Sequence, residues 1–171
     1  MGWTFPFNAS RSDVVEDLTR DQKTANGGVF RTLRKCFRGN TMYALHESGP
    51  EGETRKWIAV YLLQRDASSG DWGYKDMDES MHPYYFDCPV SYLDEADEPT
   101  SDGAREWRAE VRRLAAERTS KKPKKGETWT LKGCRIPSVK ITSLRPLRGW
   151  HAGTVYKIKR GLLGEKVPAA S

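Results

Sequence analysis

The chain has 171 residues, 37% of them hydrophobic and 30% charged, with a mean hydropathy of −0.76 and a formal net charge of +6. That is long enough for one domain with a real core, or one domain and a small appendage, and no run approaches the ~20 apolar residues of a membrane span. The net charge hides a split: residues 120–171 hold 13 basic and 2 acidic side chains, whereas residues 66–102 hold eleven acids and one lysine, Lys75.

In chain order, Trp3, Phe5 and Phe7 alternate as in a short starting strand. Ser10 and Ser12 are N-cap candidates for a helix over Asp13–Arg20, with Val14, Val15 and Leu18 as its buried stripe. Two strands, Val29–Phe37 and Thr41–Glu47, flank the hairpin signal Arg38-Gly39-Asn40. Arg55–Asp66 is apolar on both faces, which predicts a central strand covered on both sides.

The stretch Trp72–Pro89 combines aromatics, four acids, Lys75, His82 and Cys88. Neither helical nor strand periodicity describes it, so it reads as a structured loop. One helical turn is expected at Val90–Leu93, then an acidic linker over Asp94–Gly103. Ala104–Arg118 is the clearest helix, with Ala104, Trp107, Val111, Leu114 and Ala115 on one side. Thr119–Gly126, broken by Pro123 and Gly126, marks a boundary between residues 1–119 and residues 120–171.

Beyond it, Thr128–Leu131, Val139–Leu144 and Thr154–Arg160 read as short strands, and Leu162–Ser171 as a loose tail. Val139/Ile141 and Tyr156/Ile158 alternate with Lys140/Thr142 and Lys157/Lys159, the pattern of a small sheet with one dry and one basic face. The expected fold class is α+β: a mainly antiparallel sheet with flanking helices, then a small basic β-module packed on it. An SH3-like or an OB-like barrel is compatible with that module.

Three groups of residues carry candidate chemistry. The basic module interleaves Lys121, Lys122, Lys124, Lys125, Lys132, Arg135, Lys140, Arg145, Arg148, Lys157, Lys159 and Arg160 with Trp129, Trp150 and Tyr156. Cations attract the phosphate backbone and aromatics stack on bases, so nucleic acid is the expected partner. Asp76 and Asp78, two apart with Glu79 adjacent, could hold a divalent ion or divide into acid and base, with Lys75 on a phosphate. The bland alternative is an acidic loop bonded to backbone amides and to Lys or Arg. Trp72, Tyr74, Lys75, Asp76, Asp78, Glu79, Tyr84 and Tyr85 form either a structural loop or a protein-binding surface with aromatic anchors.

Cys36, Cys88 and Cys134 are odd in number and widely spaced, which suits a reduced cytoplasm. The start Met1-Gly2-Trp3-Thr4-Phe5-Pro6 lacks the charged and apolar regions of a signal peptide. Cys and His residues show no zinc spacing, so no metal or cofactor is expected, and the lack of a long apolar run means that no membrane is expected. Cys88, beside Asp87, reads as a small buried hydrophobe, since a neighbouring negative charge raises a thiol's pKa.

Met1-Gly2-Trp3-Thr4-Phe5, Trp57-Ile58-Ala59-Val60-Tyr61-Leu62, Trp72-Gly73-Tyr74-Lys75-Asp76-Met77-Asp78-Glu79, Pro83-Tyr84-Tyr85-Phe86-Asp87-Cys88-Pro89 and Trp107-Arg108 are long, specific motifs. In them the chain resembles a family of unknown function found on bacterial mobile elements, namely phages, plasmids and genomic islands. The resemblance spans about residues 1–115 and departs at His82, where Gly is expected before Pro-Tyr-Tyr. It implies a bacterial or phage cytoplasm and an accessory role in element maintenance or in conflict with the host. The leading expectation is a non-enzymatic accessory protein that binds nucleic acid or a nucleoprotein complex through the basic module. The alternatives are a protein-binding inhibitor of a host defence system, of anti-CRISPR or anti-restriction type, and a divalent-metal enzyme on a phosphate-containing substrate.

Overall fold

A computed structural model describes residues 2–23, 27–79, 85–120 and 122–168. The fold is α+β, in two compact units, Met1–Ala115 and Ala116–Ser171.

In the first unit, β1 (Gln22–Lys23), β2 (Gly28–Arg38), β3 (Thr41–Pro50), β4 (Arg55–Arg65) and β5 (Trp72–Asp78) form an antiparallel sheet in sequence order. Gly39, at φ 61°, takes the first place of the two-residue β2–β3 loop, where a side chain would be strained. Helix α1 (Arg11–Thr19) starts at Ser10. The Ser10 hydroxyl accepts from the Asp13 backbone N–H at 3.2 Å, and the Ser10 N–H donates back to Asp13 Oδ2 at 2.8 Å. This reciprocal cap satisfies two donors that the first turn would otherwise orphan.

The central strand behaves as its sequence predicts. Alternation sends Ile58 and Val60 to one face, where they join Tyr43, Leu45 and Cys88 with Tyr92 and Leu93 of α2 (Val90–Glu95) and Trp107 and Val111 of α3 (Asp102–Ser120). Ala59, Tyr61 and Leu63 go to the other face, with Met42, Ala44 and Val14 of α1. Each large apolar side chain so buried contributes roughly 1.5–3 kcal/mol, which makes this two-sided packing the main stabilising force in the unit.

His46 of β3 is completely buried on the α1 side, among the rings of Phe30, Trp57 and Tyr61. Its Nδ1 lies 3.0 Å from the Thr32 hydroxyl and its Nε2 lies 3.1 Å from the Tyr61 hydroxyl. Both ring nitrogens are therefore satisfied by neutral groups, and burial lowers the imidazole pKa from 6.5 to about 4. The unfolded chain binds this proton more readily, so the folded state loses stability as pH falls from 6.5 towards 4. The expected loss is roughly 2–3 kcal/mol at about pH 4.5. Urea melts of wild type and His46→Gln test this; equal slopes of stability against pH in the two proteins would reject it.

Two expectations for this unit need correction. The stretch Trp72–Pro89 is not a loop throughout: its first seven residues form edge strand β5, paired from Arg65↔Trp72 to Ala59↔Asp78. A period of two is present, with Trp72, Tyr74 and Asp76 alternating with Gly73, Lys75 and Met77, but acids and a lysine at strand positions obscure it. Conversely, the alternating Trp3, Phe5 and Phe7 form no strand. Thr4 makes one bridge with Tyr74, and Pro6, which lacks a donor, ends the pairing. The chain crosses β5 closely there: a Cβ on Gly73 would collide with the Phe5 ring and the Thr4 carbonyl.

In the second unit, β6 (Thr128–Leu131), β7 (Ser138–Leu144), β8 (Leu147–His151) and β9 (Thr154–Lys157) form an antiparallel meander. A 3₁₀ turn at Arg160–Leu162 then leads to β10 (Leu163–Lys166), which pairs with β6. The strand order is β10-β6-β7-β8-β9, so the last strand of the unit returns beside its first. Its core is Trp129, Val139, Ile141, Leu147 and Ile158. A Cβ on Gly149 would stand 2.6 Å from Val139 Cγ2 and from Ile158 Cδ1, so only glycine fits at this inward position.

Strands β8 and β10 are the departures from the sequence reading here. Leu147-Arg-Gly-Trp-His carries Gly149 where alternation calls for an apolar side chain, and Leu163-Gly-Glu-Lys has no apolar alternation. The loose tail expected at Leu162–Ser171 is instead held as far as Val167, whose N–H donates to the Thr128 carbonyl at 2.8 Å. The register of β10 slips between Leu163 and Lys166, and the Thr130 hydroxyl fills the gap, accepting from the Glu165 N–H at 2.8 Å.

Candidate nucleic-acid interface

Because Trp129, Val139, Ile141 and Leu147 point into the core, their strand neighbours face outward. Register then assembles an open face on β7, β8 and β9. Trp150 lies opposite Lys140 on one side and Val155 on the other, while Arg148 lies opposite Lys157. Directly opposed side chains start about 4.5–5.5 Å apart, so these five form one continuous surface. Trp150 is 45% exposed and Val155 53%, so a ring and an adjacent apolar side chain lie open on this face. Among the described residues, Lys140, Arg148 and Lys157 have no ion-pair partner. Their charge is free to attract an anion, and the indole can stack on a flat ring.

Sequence reasoning missed Val155 as part of this surface. The signal for it was the His-Ala-Gly-Thr step. Ala152 at φ 45° and Gly153 at φ 88° form a two-residue turn of left-handed residues, and such a turn fixes Trp150 opposite Val155.

The other predicted cations lie off this face. Lys122, Lys124, Lys125, Lys132, Arg135, Arg145, Lys159 and Arg160 are exposed on loops and turns, and Lys121 lies outside the described residues. Trp129 is a correction: it is 4% exposed and belongs to the core, so it offers no ring face to a base from the open side of the sheet. Its indole N–H donates to Glu127 Oε2 at 3.1 Å. Glu127 also accepts the Lys124 backbone N–H at 2.9 Å and pairs with Lys166 Nζ at 2.8 Å. Together these donors, the Lys166 ammonium foremost, hold its carboxyl down at about 2. Glu127 thereby ties the start of β6 to β10 and neutralises one cation of the module.

Of the acidic stretch, the described side chains of Asp76 and Glu79 lie on opposite sides of the sheet. Asp76 sits opposite Tyr61 on the α1 side of the sheet. Burial first, then the charge of Asp76, holds the Tyr61 phenol above its ordinary range. Glu79 engages the opposite side. Arg108 of α3 grips it with two parallel bonds, Nε to Oε2 at 2.6 Å and Nη2 to Oε1 at 2.7 Å, and both side chains are buried. For Glu79 the partner is the kind the bland alternative called for, an arginine 29 residues away. The side chain of Asp78, and residues Tyr84 and His82, lie outside the described residues. Among those described, no group of three His, Cys, Asp or Glu gathers as a metal site.

The aromatic part of the stretch anchors the fold. Trp72 and Tyr74 are half-buried against the α1-side core, and the Arg11 guanidinium stacks over Trp72 and Phe37, 5.6 and 5.1 Å from the ring centroids. Tyr85 packs on the other core, and its carbonyl accepts the Trp107 indole N–H at 3.1 Å. Lys75, half-buried, stands opposite Leu62 on β4. Cys88 is buried, and burial pushes its thiol well above the ordinary range, away from nucleophilic use.

Among the described residues no helix is long and apolar enough to cross a membrane. Comparison of the chain with protein-family models, with curated proteins and with solved structures gives no match.

Proposed function

We propose that this chain is a non-enzymatic nucleic-acid-binding protein, an accessory of a bacterial mobile element acting in the cytoplasm, and that it holds a strand on the open face of its basic unit. The observation that carries the reading is Trp150, half-exposed and flanked across the strands by Lys140 and Val155, with Arg148 and Lys157 in the next row. A stacking ring inside a cluster of unneutralised cations is the minimal chemistry for a single strand: the cations track phosphates and the ring accepts any base. Weak sequence preference follows, because nothing on this face is arranged to read base edges. The ion pair of Glu79 with Arg108 weighs against the divalent-metal reading, since it commits one of the three carboxylates that reading needs.

Fluorescence anisotropy with a single-stranded oligonucleotide tests the proposal. Binding should weaken steeply with salt, and each of Lys140→Ala and Lys157→Ala should flatten the log–log slope by about 0.7. Trp150→Ala should cost about 1–3 kcal/mol, roughly a 5- to 150-fold loss in affinity at fixed salt. The absence of binding at low ionic strength, or full affinity in Trp150→Ala, would sink it.

A further inference from the structure

We infer that the second unit carries another binding site, away from its open face: the depression rimmed by Lys122, Lys132 and Arg160 takes a nucleobase that bears a phosphate. The depression encloses about 520 Å³, within the roughly 300–1,000 Å³ of small-molecule sites. Its wall includes the buried edge of Trp129 and the half-buried Leu163, which form an apolar floor. Its rim carries four cations, Lys122, Lys132, Arg160 and Lys166, against one acid, Glu165. Lys166 on that rim is already neutralised by Glu127, but Lys122, Lys132 and Arg160 have no ion-pair partner among the described residues.

The arrangement is held by backbone. The Lys132 N–H donates to the Leu162 carbonyl at 2.8 Å, which fixes the β6–β7 turn against the 3₁₀ turn that carries Arg160. Two cations from segments some 28 residues apart are thereby set at one opening. A bare anion makes no use of the apolar floor, and an uncharged ring makes no use of the rim. A flat ring with an attached phosphate uses both: the ring displaces water from the floor and the phosphate accepts charge-assisted bonds from the rim. The site rests on the nucleic-acid reading only in the choice of a nucleobase over another aromatic ring. A free mononucleotide and the 5′-phosphorylated end of a strand share this chemistry.

The test is titration of the full chain with AMP at low ionic strength, followed by amide and indole chemical shifts, which also show that each variant is folded. Saturable shifts are expected at Lys132, Leu163, Gly164 and the Trp129 indole N–H. Affinity should fall about tenfold in the double variant Lys132→Ala/Arg160→Ala, and stay within about twofold in Lys23→Ala, an exposed lysine of the first unit. A second arm compares 5′-phosphorylated and 5′-hydroxyl oligonucleotides. A preference for the phosphate that disappears in the double variant identifies a strand end as the source, and equal binding together with the AMP response identifies the free nucleotide. No saturable shift, the same shifts with inorganic phosphate alone, or shifts insensitive to the double variant would overturn the site. A wild-type protein that binds AMP here but no 5′-hydroxyl strand would remove the open-face reading and leave this one standing.

Discussion

Arg108→Ala is expected to destabilise the first unit by about 3–5 kcal/mol, the usual cost of breaking a buried ion pair from one side. The guanidinium makes three bonds, two to the Glu79 carboxylate and one from Nη1 to the Asp97 carbonyl at 2.8 Å. The Arg108 and Glu79 side chains are only 6% and 12% exposed, so little water reaches the pair. The alanine variant leaves a carboxylate buried without its counter-charge and orphans a carbonyl in the loop that Asp97 pins to β4. That loop is otherwise held by paired bonds, Lys56 N–H to Asp97 Oδ2 and Asp97 N–H to the Lys56 carbonyl, both at 2.9 Å. Urea melts at pH 7 measure the loss.

The expected response of related variants separates pairing from packing. Arg108→Lys keeps the charge but not the planar fork, so it should recover only part of the stability. Arg108→Met/Glu79→Met removes both charges and should cost less than Arg108→Ala alone, because the expensive species is the unpaired charge and not the missing pair. A loss below ~1 kcal/mol in Arg108→Ala would mean that Glu79 reaches solvent or protonates, and the structural assignment of this carboxylate would fail.

The parts of this fold that were legible in the sequence are those whose signal is local. The two-sided apolar run of β4, the Ser10 cap and the 3.6-residue stripe of α3 each follow from neighbouring residues, and each is realised. What was not legible depends on distant partners. Glu79 looks like a member of an Asp-x-Asp-Glu cluster until an arginine on a helix 29 residues away claims it. β5 and β10 become strands because a neighbouring strand supplies their ladder, not because their own residues favour one. The basic candidate site divides in the same way. Counting charges found the module, but only register places Trp150, Lys140 and Val155 in one row, and only burial removes Trp129 from the stacking surface.

Trp107→Ala should cost about 3–5 kcal/mol as well, for a different reason. The indole is 2% exposed at the centre of the core that joins Ile58 and Val60 of β4 to Tyr92, Leu93 and Val111. Truncation removes the largest fully buried side chain of the chain's described part and leaves a cavity that β-branched neighbours on a rigid sheet cannot fill. It also frees the Tyr85 carbonyl from its bond to the indole N–H. Trp107→Phe separates the two contributions: it keeps most of the apolar contact and loses the bond, so about 1–3 kcal/mol should be lost. Trp107 and Arg108 are adjacent and pack on the same side of the sheet, so their losses should not add. Once Trp107→Ala has loosened α3, Glu79 gains access to water and the further cost of Arg108→Ala should shrink by about 0.5–3 kcal/mol in a double-mutant cycle. Strict additivity in that cycle would show that the core and the ion pair stabilise α3 independently, and a Trp107→Ala loss below ~1 kcal/mol would show that this face of the helix does not form the core.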